Sequence, residues 1–183
     1  MKVTIVGAGI IGTAIAYELG ARGATVCLVD VRGSGLGATQ ASAGILAPYI
    51  EGHSAELLQL GLSSLAQYDS FITRVVTDAG RPVEYRRLGT LQVARTDGEA
   101  QQLKEAARVL QASGVSHTSL VGDAARALEP SLSEGLCGAL RVPDQGYVGA
   151  ASLMAALQAA VGTHGTTLST ARVTGIVLRD GEV

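Results

Sequence analysis

The chain opens on a β-branched run, Val3-Thr4-Ile5-Val6, that breaks at Gly7, after which Ile11, Ile15 and Leu19 recur every four residues. That change of period predicts a strand, a turn and a helix with one apolar face. Gly20 and Gly23 punctuate the end of the helix, and Thr25-Val26-Cys27-Leu28-Val29 predicts a buried second strand that closes on Asp30. Residues 31 to 48, VRGSGLGATQASAGILAP, carry neither period and are rich in Gly, Ala, Ser and Thr. Residues 54 to 79 predict a long helix with Leu58, Leu62, Leu65, Ile72 and Val75 on one side and Gly80 as its stop.

From Pro82 the pattern changes again. VEYRRLGTLQVA predicts strands interrupted at Gly89, and Thr96-Asp97-Gly98-Glu99 is a capping box opening a helix with Ala100, Leu103, Ala107 and Leu110. A short helix over 123–128 stopped by Pro130, a strand around 135–142 and an apolar helix over 149–162 follow. Met154 lies on that last helix's stripe with Leu153, Leu157 and Val161, which assigns it to the core. Thr166–Leu168 and Val173–Leu178 read as extended, and Arg179-Asp180-Gly181 as a hairpin turn whose returning strand begins with Glu182-Val183. A second arm of two residues would leave an unpaired edge, so the chain reads as truncated at its C-terminal end.

Composition narrows the class. With 183 residues, 47% apolar and 16% charged, the chain is long enough to bury a core. A net charge of -2 and a pI near 5.9 leave no basic footprint for nucleic acid. No apolar run reaches a bilayer's span. Cys27 and Cys137 read as two small buried thiols in a reducing, cytoplasmic setting rather than a disulfide framework. His53, His117 and His164 stand far apart with no partner at ligand spacing, so no metal site is expected.

The chemistry lies in the first turn. Lys2 and the small residues Ala14 and Ala16 imitate a secretory leader, but a leader has no need of Gly7, Gly9 and Gly12 in G-x-G-x-x-G directly after a strand. A dinucleotide does: the first glycine makes the tight turn, the second lets backbone approach a pyrophosphate, and the third lets helix pack on strand. The helix start then offers N–H groups and a positive dipole end to the anion. Asp30 stands at the end of the next strand, where a carboxylate accepts the hydrogens of a ribose. The glycines at 33, 35, 37 and 44 suggest that the following loop also comes close to the ligand.

Four stretches, IVGAGIIGTAIAYEL, GATQASAGILAP, YRRLGTLQVA and LEPSLSEGLCGALRVPDQGYVGAASLMAAL, together resemble the FAD-dependent amine and amino-acid oxidases and dehydrogenases that include D-amino-acid oxidase, sarcosine oxidase and glycine oxidase. The likeness covers nearly the whole chain and points most toward the glycine oxidase branch. It implies an α/β fold: a Rossmann-like FAD-binding domain over 1–80 and 147–183, incomplete, with part of an inserted α+β substrate domain over 81–146. It implies FAD as cofactor. By position, Gly7, Gly9, Ile10, Ile11 and Gly12 fall under the pyrophosphate, and Asp30 with Val31 flanks the adenosine ribose. Ala38, Thr39, Ala43, Gly44 and Ile45 fall along the pyrophosphate and flavin, and Val173 on the adenine side. Asp30 departs from the more usual glutamate, and Gly149 from an acidic residue or proline.

The resemblance further implies oxidation of the C–N bond of a small amine or amino acid by hydride transfer to the flavin. The family's substrate-holding arginine and tyrosine fall in the second half of its chain, beyond Val183, so no catalytic residue is assigned here. Arg86 and Arg87 point to opposite faces of a strand, so at most one could face a substrate pocket; solvated strand charge is the plainer reading. Two alternatives stand beside this one: an NAD-linked Rossmann dehydrogenase, which gives no reason for the second glycine-rich loop, and a non-catalytic nucleotide-binding or assembly module that self-associates over an open edge.

Overall fold

A computed structural model describes residues 1–49 and 55–178. His53 and the expected hairpin turn at 179–183 lie outside the described residues. The chain divides into two compact units, one of Met1–Gly44, Gln67–Tyr85 and Val148–Val183, the other of Ile45–Ala66 and Arg86–Tyr147.

In the first unit, β1 (Lys2–Val6), α1 (Ile10–Ala21) and β2 (Thr25–Asp30) form the expected crossover, with β1 and β2 parallel and Val6 opposite Val29. On the far side of β2 runs β9 (Thr167–Thr170), also parallel, which sets Asp30 opposite Thr170. α1 packs beside α5 (Ala150–Thr163). Ala156, Leu157 and Ala160 of α5 are fully buried, and Leu153, Met154 and Val161 nearly so. Small residues allow this approach: a Cβ on Gly20 would stand 2.9 Å from the Cβ of His164.

The apolar stripe of α1 does not face the core. Ile11 is 75% exposed and Ile15 46%, while Thr13, Ala16, Tyr17 and Gly20 are buried. The reason is steric, because the side of the helix that meets β1 must be the slim one, and the bulky isoleucines are left to the opposite face. Tyr17 donates its hydroxyl to Asp78 Oδ2 at 2.7 Å, near the end of the long helix α2 (Ala55–Ala79). Burial, aided by that carboxylate, pushes the phenol's pKa up to about 12.

In the second unit β3 (Ile45–Leu46) pairs antiparallel with the residues of β8 (Gly146–Val148) that belong to that unit, Ile45 opposite Tyr147 and Leu46 opposite Gly146. β4 (Tyr85–Arg86) is the third member of that short sheet. A larger antiparallel sheet has β7 (Gly138–Val142) between β5 (Thr90–Ala94) and β6 (Thr118–Leu120). α3 (Asp97–Ala112) covers it, starting at the expected capping box: Glu99 N–H donates to Thr96 Oγ1, and Glu99 Oε2 accepts from Thr96 N–H. Leu110, Leu140 and Val142 form the core with Tyr49, Leu103, Ala107 and Val115 against them. A short helix, α4, spans Gly122–Leu128.

Two expectations are corrected. Val173–Leu178 forms no strand: Val173, Ile176, Val177 and Leu178 are exposed, and no strand among the described residues pairs with them. β-branched composition alone does not make a strand without a ladder partner. Cys137 is exposed rather than buried, since it precedes β7 and its backbone N–H bonds Ala94 O while the residue stays at the surface. Cys27 is half-buried, and both thiols are free.

Candidate dinucleotide cleft

The turn after β1 is held by its backbone. Gly7 adopts φ +106° and donates its N–H to Val29 O at 2.8 Å. A Cβ on Gly12 would lie 1.9 Å from Gly7 O, so α1 can start where it does only with no side chain there. Thr13 anchors the first turn by donating its backbone N–H and its hydroxyl to Gly9 O, each at 2.9 Å.

The loop that follows β2 folds back onto the same turn. Gly35 N–H and Ser34 Oγ both donate to Ala8 O, at 2.8 and 3.1 Å. Buried Thr39, in a 3-10 turn over Ala38–Ala41, accepts the Ile10 N–H on its Oγ1 at 3.0 Å. Asp30 closes the arrangement: Oδ2 accepts from Ala8 N–H at 3.0 Å and Oδ1 from Arg32 N–H at 2.9 Å. These bonds, the Arg32 one foremost, hold the Asp30 carboxyl below the usual aspartate range despite some desolvation.

A cleft of about 600 Å³ opens between the turn and the loop. Of the residues singled out from the sequence, Gly7, Gly9, Ile10, Ile11, Gly12, Asp30, Ala38 and Thr39 line it. Val31, Ala43 and Gly44 of the same unit do not, and neither does Val173. Ile45 belongs to the second unit. Gly37, one of the loop glycines expected near the ligand, lines it too, and so do Ile15, Arg32, Leu36 and Ser42, which the sequence reading does not assign to the site. Ile15 could have been found, since it stands one turn beyond Ile11 on the same helical face.

The loop's glycines answer mainly to the protein itself. A Cβ on Gly35 would meet Met154 Cγ at 2.8 Å, and one on Gly44 would meet Val148 O at 1.8 Å. Gly35 and Gly44 thus have a packing role of their own, letting the loop lie against α5 and the segment before it. Arg87, weighed as a substrate contact, donates Nη1 to Leu65 O at 3.1 Å. No group of three or more His, Cys, Asp or Glu that could hold a metal exists among the described residues, and no helix among them is long and apolar enough to cross a membrane.

Because the Asp30 carboxyl is shifted down in the folded state, its contribution to stability is full at pH values above the ordinary aspartate range and is lost as pH falls through its lowered value. Asp30→Asn should therefore show a shallower fall in melting temperature between pH 6 and pH 3 than the unmodified chain. Identical acid limbs would mean that the two N–H bonds do not form.

Residues 2–183 match the model of a family described as FAD dependent oxidoreductase. A glycine oxidase from Geobacillus kaustophilus is 33% identical over 168 residues, covering 91% of this chain and 45% of that protein. A 4-methylaminobutanoate oxidase (formaldehyde-forming) from Paenarthrobacter nicotinovorans is 32% identical over 188 residues, covering 100% of this chain and 22% of that protein. Among solved structures, the Geobacillus kaustophilus glycine oxidase superposes with a TM-score of 0.87 and that of Bacillus cereus with 0.91, the latter covering 98% of this chain and 48% of its own at 27% identity. The chain thus spans less than half the length of these relatives. A cleft built by a G-x-G-x-x-G crossover and a small-residue loop, with residues 2–183 of the chain matching the family's model, leads to one conclusion: the chain belongs to the FAD-dependent oxidoreductase family.

Proposed function

We propose that this chain supplies the FAD-binding part of an oxidoreductase acting on the C–N bond of a small amine or amino acid. The observation that carries this is the tie between the loop after β2 and the glycine turn, at Ala8 and Ile10, which makes two separate stretches the walls of one cleft. An ordinary NAD site has no use for the second wall.

The residues suit the group chemically. The first turn of α1 leaves the N–H groups of Ile11 and Gly12 without helical acceptors, and these suit a pyrophosphate. Gly9 keeps the backbone low where that anion would lie, and the Thr39 hydroxyl, already holding Ile10 N–H, has its own proton to donate. Asp30 presents a carboxylate with lone pairs remaining for ribose hydroxyls. Ile11 and Ile15 exclude water along one side. Ala43, Gly44, Ile45 and Val173 act farther along the dinucleotide, and Val31 beside the ribose, as the family resemblance implies. FAD, when bound, supplies the acceptor for the substrate's hydride. In this reading residues 1–80 and 147–183 form the nucleotide-binding domain and 81–146 part of the substrate-binding domain. The names of two relatives, a glycine oxidase and a 4-methylaminobutanoate oxidase, support that class of small amine or amino acid.

The purified chain titrated with FAD and, separately, with NADH tests the proposal. FAD should bind with a shift of the flavin absorption bands and NADH should not. A chain that binds NADH and leaves FAD spectra unchanged overturns it.

A further inference from the structure

Arg32 sits in the wall of the cleft two residues after Asp30. Its side chain turns back over Gly37, where a Cβ would stand 2.9 Å from Nη2, 3.6 Å from Cζ and 3.9 Å from Nη1. The guanidinium thus rests on the bare backbone of Gly37, and Leu36, also in the wall, is half exposed beside it. Among the described residues no acceptor hydrogen-bonds the guanidinium and no carboxylate comes within ion-pair distance of it; it acts on the Asp30 carboxyl only through space. A planar cation seated on a cleft wall with its donors unspent is equipped for recognition, since Arg stacks on π-systems as readily as it pairs with oxygen.

Resting on the FAD reading above, we infer that Arg32 holds the adenosine end of the dinucleotide, its guanidinium laid against the face of the purine. Position selects the purine over the pyrophosphate. The anion's seat is the start of α1, whereas Arg32 adjoins Asp30, the carboxylate placed for the ribose. Gly37 completes the device by leaving out the Cβ that would push the guanidinium off the wall.

Fluorescence titration of the full chain with FAD tests this in the unmodified protein and in Arg32→Gln and Arg32→Lys. Removing the stacking cation should weaken FAD binding about tenfold, the size of a partly desolvated cation–π contact. Lysine keeps the charge but not the plane, so Arg32→Lys should lose nearly as much as Arg32→Gln. Wild-type affinity in Arg32→Gln overturns the inference and leaves the FAD reading intact. Full rescue by lysine also overturns it, because a phosphate contact would need only the charge. An unmodified chain that takes up no FAD overturns both.

Discussion

Gly12→Ala should lose about 3 kcal/mol of stability or more and bind no dinucleotide. The added methyl would stand 1.9 Å from Gly7 O and 3.1 Å from Gly7 C, and both are backbone atoms of the turn that the next strand's Val29 holds in place. Overpacking against mobile side chains costs roughly 1–3 kcal/mol, and a rigid carbonyl gives less way than a side chain does. To make room, α1 must tilt off β1, which also moves the first-turn N–H groups. Denaturant midpoints measure the effect, with Gly162→Ala as the comparison. Gly162 lies inside α5 with nothing within 4 Å, so its alanine variant should gain about 0.5–1 kcal/mol from helix propensity alone. A Gly12→Ala chain with an unshifted midpoint would show that α1 does not start against the turn.

The second large effect is expected at Gly44. Its φ of +68° is left-handed, which costs an L-residue about 1–2 kcal/mol, and its Cβ would stand 1.8 Å from Val148 O. Gly44 O also accepts the Val148 N–H at 2.9 Å, so a shift of this residue breaks a bond as well as relieving a clash. Gly44→Ala should therefore destabilise the chain by about 3 kcal/mol or more. FAD affinity should fall with it, because the same backbone is proposed to run along the dinucleotide. An unshifted denaturant midpoint would show that Gly44 does not pack against Val148.

How much of this was readable in the sequence depended on whether the signal was local. The crossover, the capping box at Thr96 and Glu99 and the helices were legible because each is written in neighbouring residues, as period, cap or breaker. Of the eight cleft residues, Gly7, Gly9, Gly12 and Asp30 were legible for the same reason, a spaced glycine motif and the end of a strand, whereas Ile10, Ile11, Ala38 and Thr39 were placed there by the family resemblance. What was hidden depends on partners far along the chain. Nothing near Gly44 announces Val148, and nothing near Gly35 announces Met154, so the packing role of these glycines was hidden. Ile11 and Ile15 marked a helical face correctly, but the period could not tell which face meets the sheet; the slim side of α1, with Gly12, Thr13 and Ala16, decided that. Val173–Leu178 has the composition of a strand, but a ladder needs two members. Arg32 was passed over because an isolated cation in a glycine-rich loop carries no pattern, and only its seat on Gly37 marks it.

The two backbone N–H groups that fix the Asp30 carboxylate have a thermodynamic consequence for whatever enters beside it. A free aspartate would have to surrender its rotamers on association, an entropic toll of roughly 0.5–1.5 kcal/mol for an immobilised side chain. Here Ala8 and Arg32 exact that toll during folding. The incoming hydroxyls meet oxygens already aimed, and the affinity they confer is undiminished by any need to arrest a swinging group.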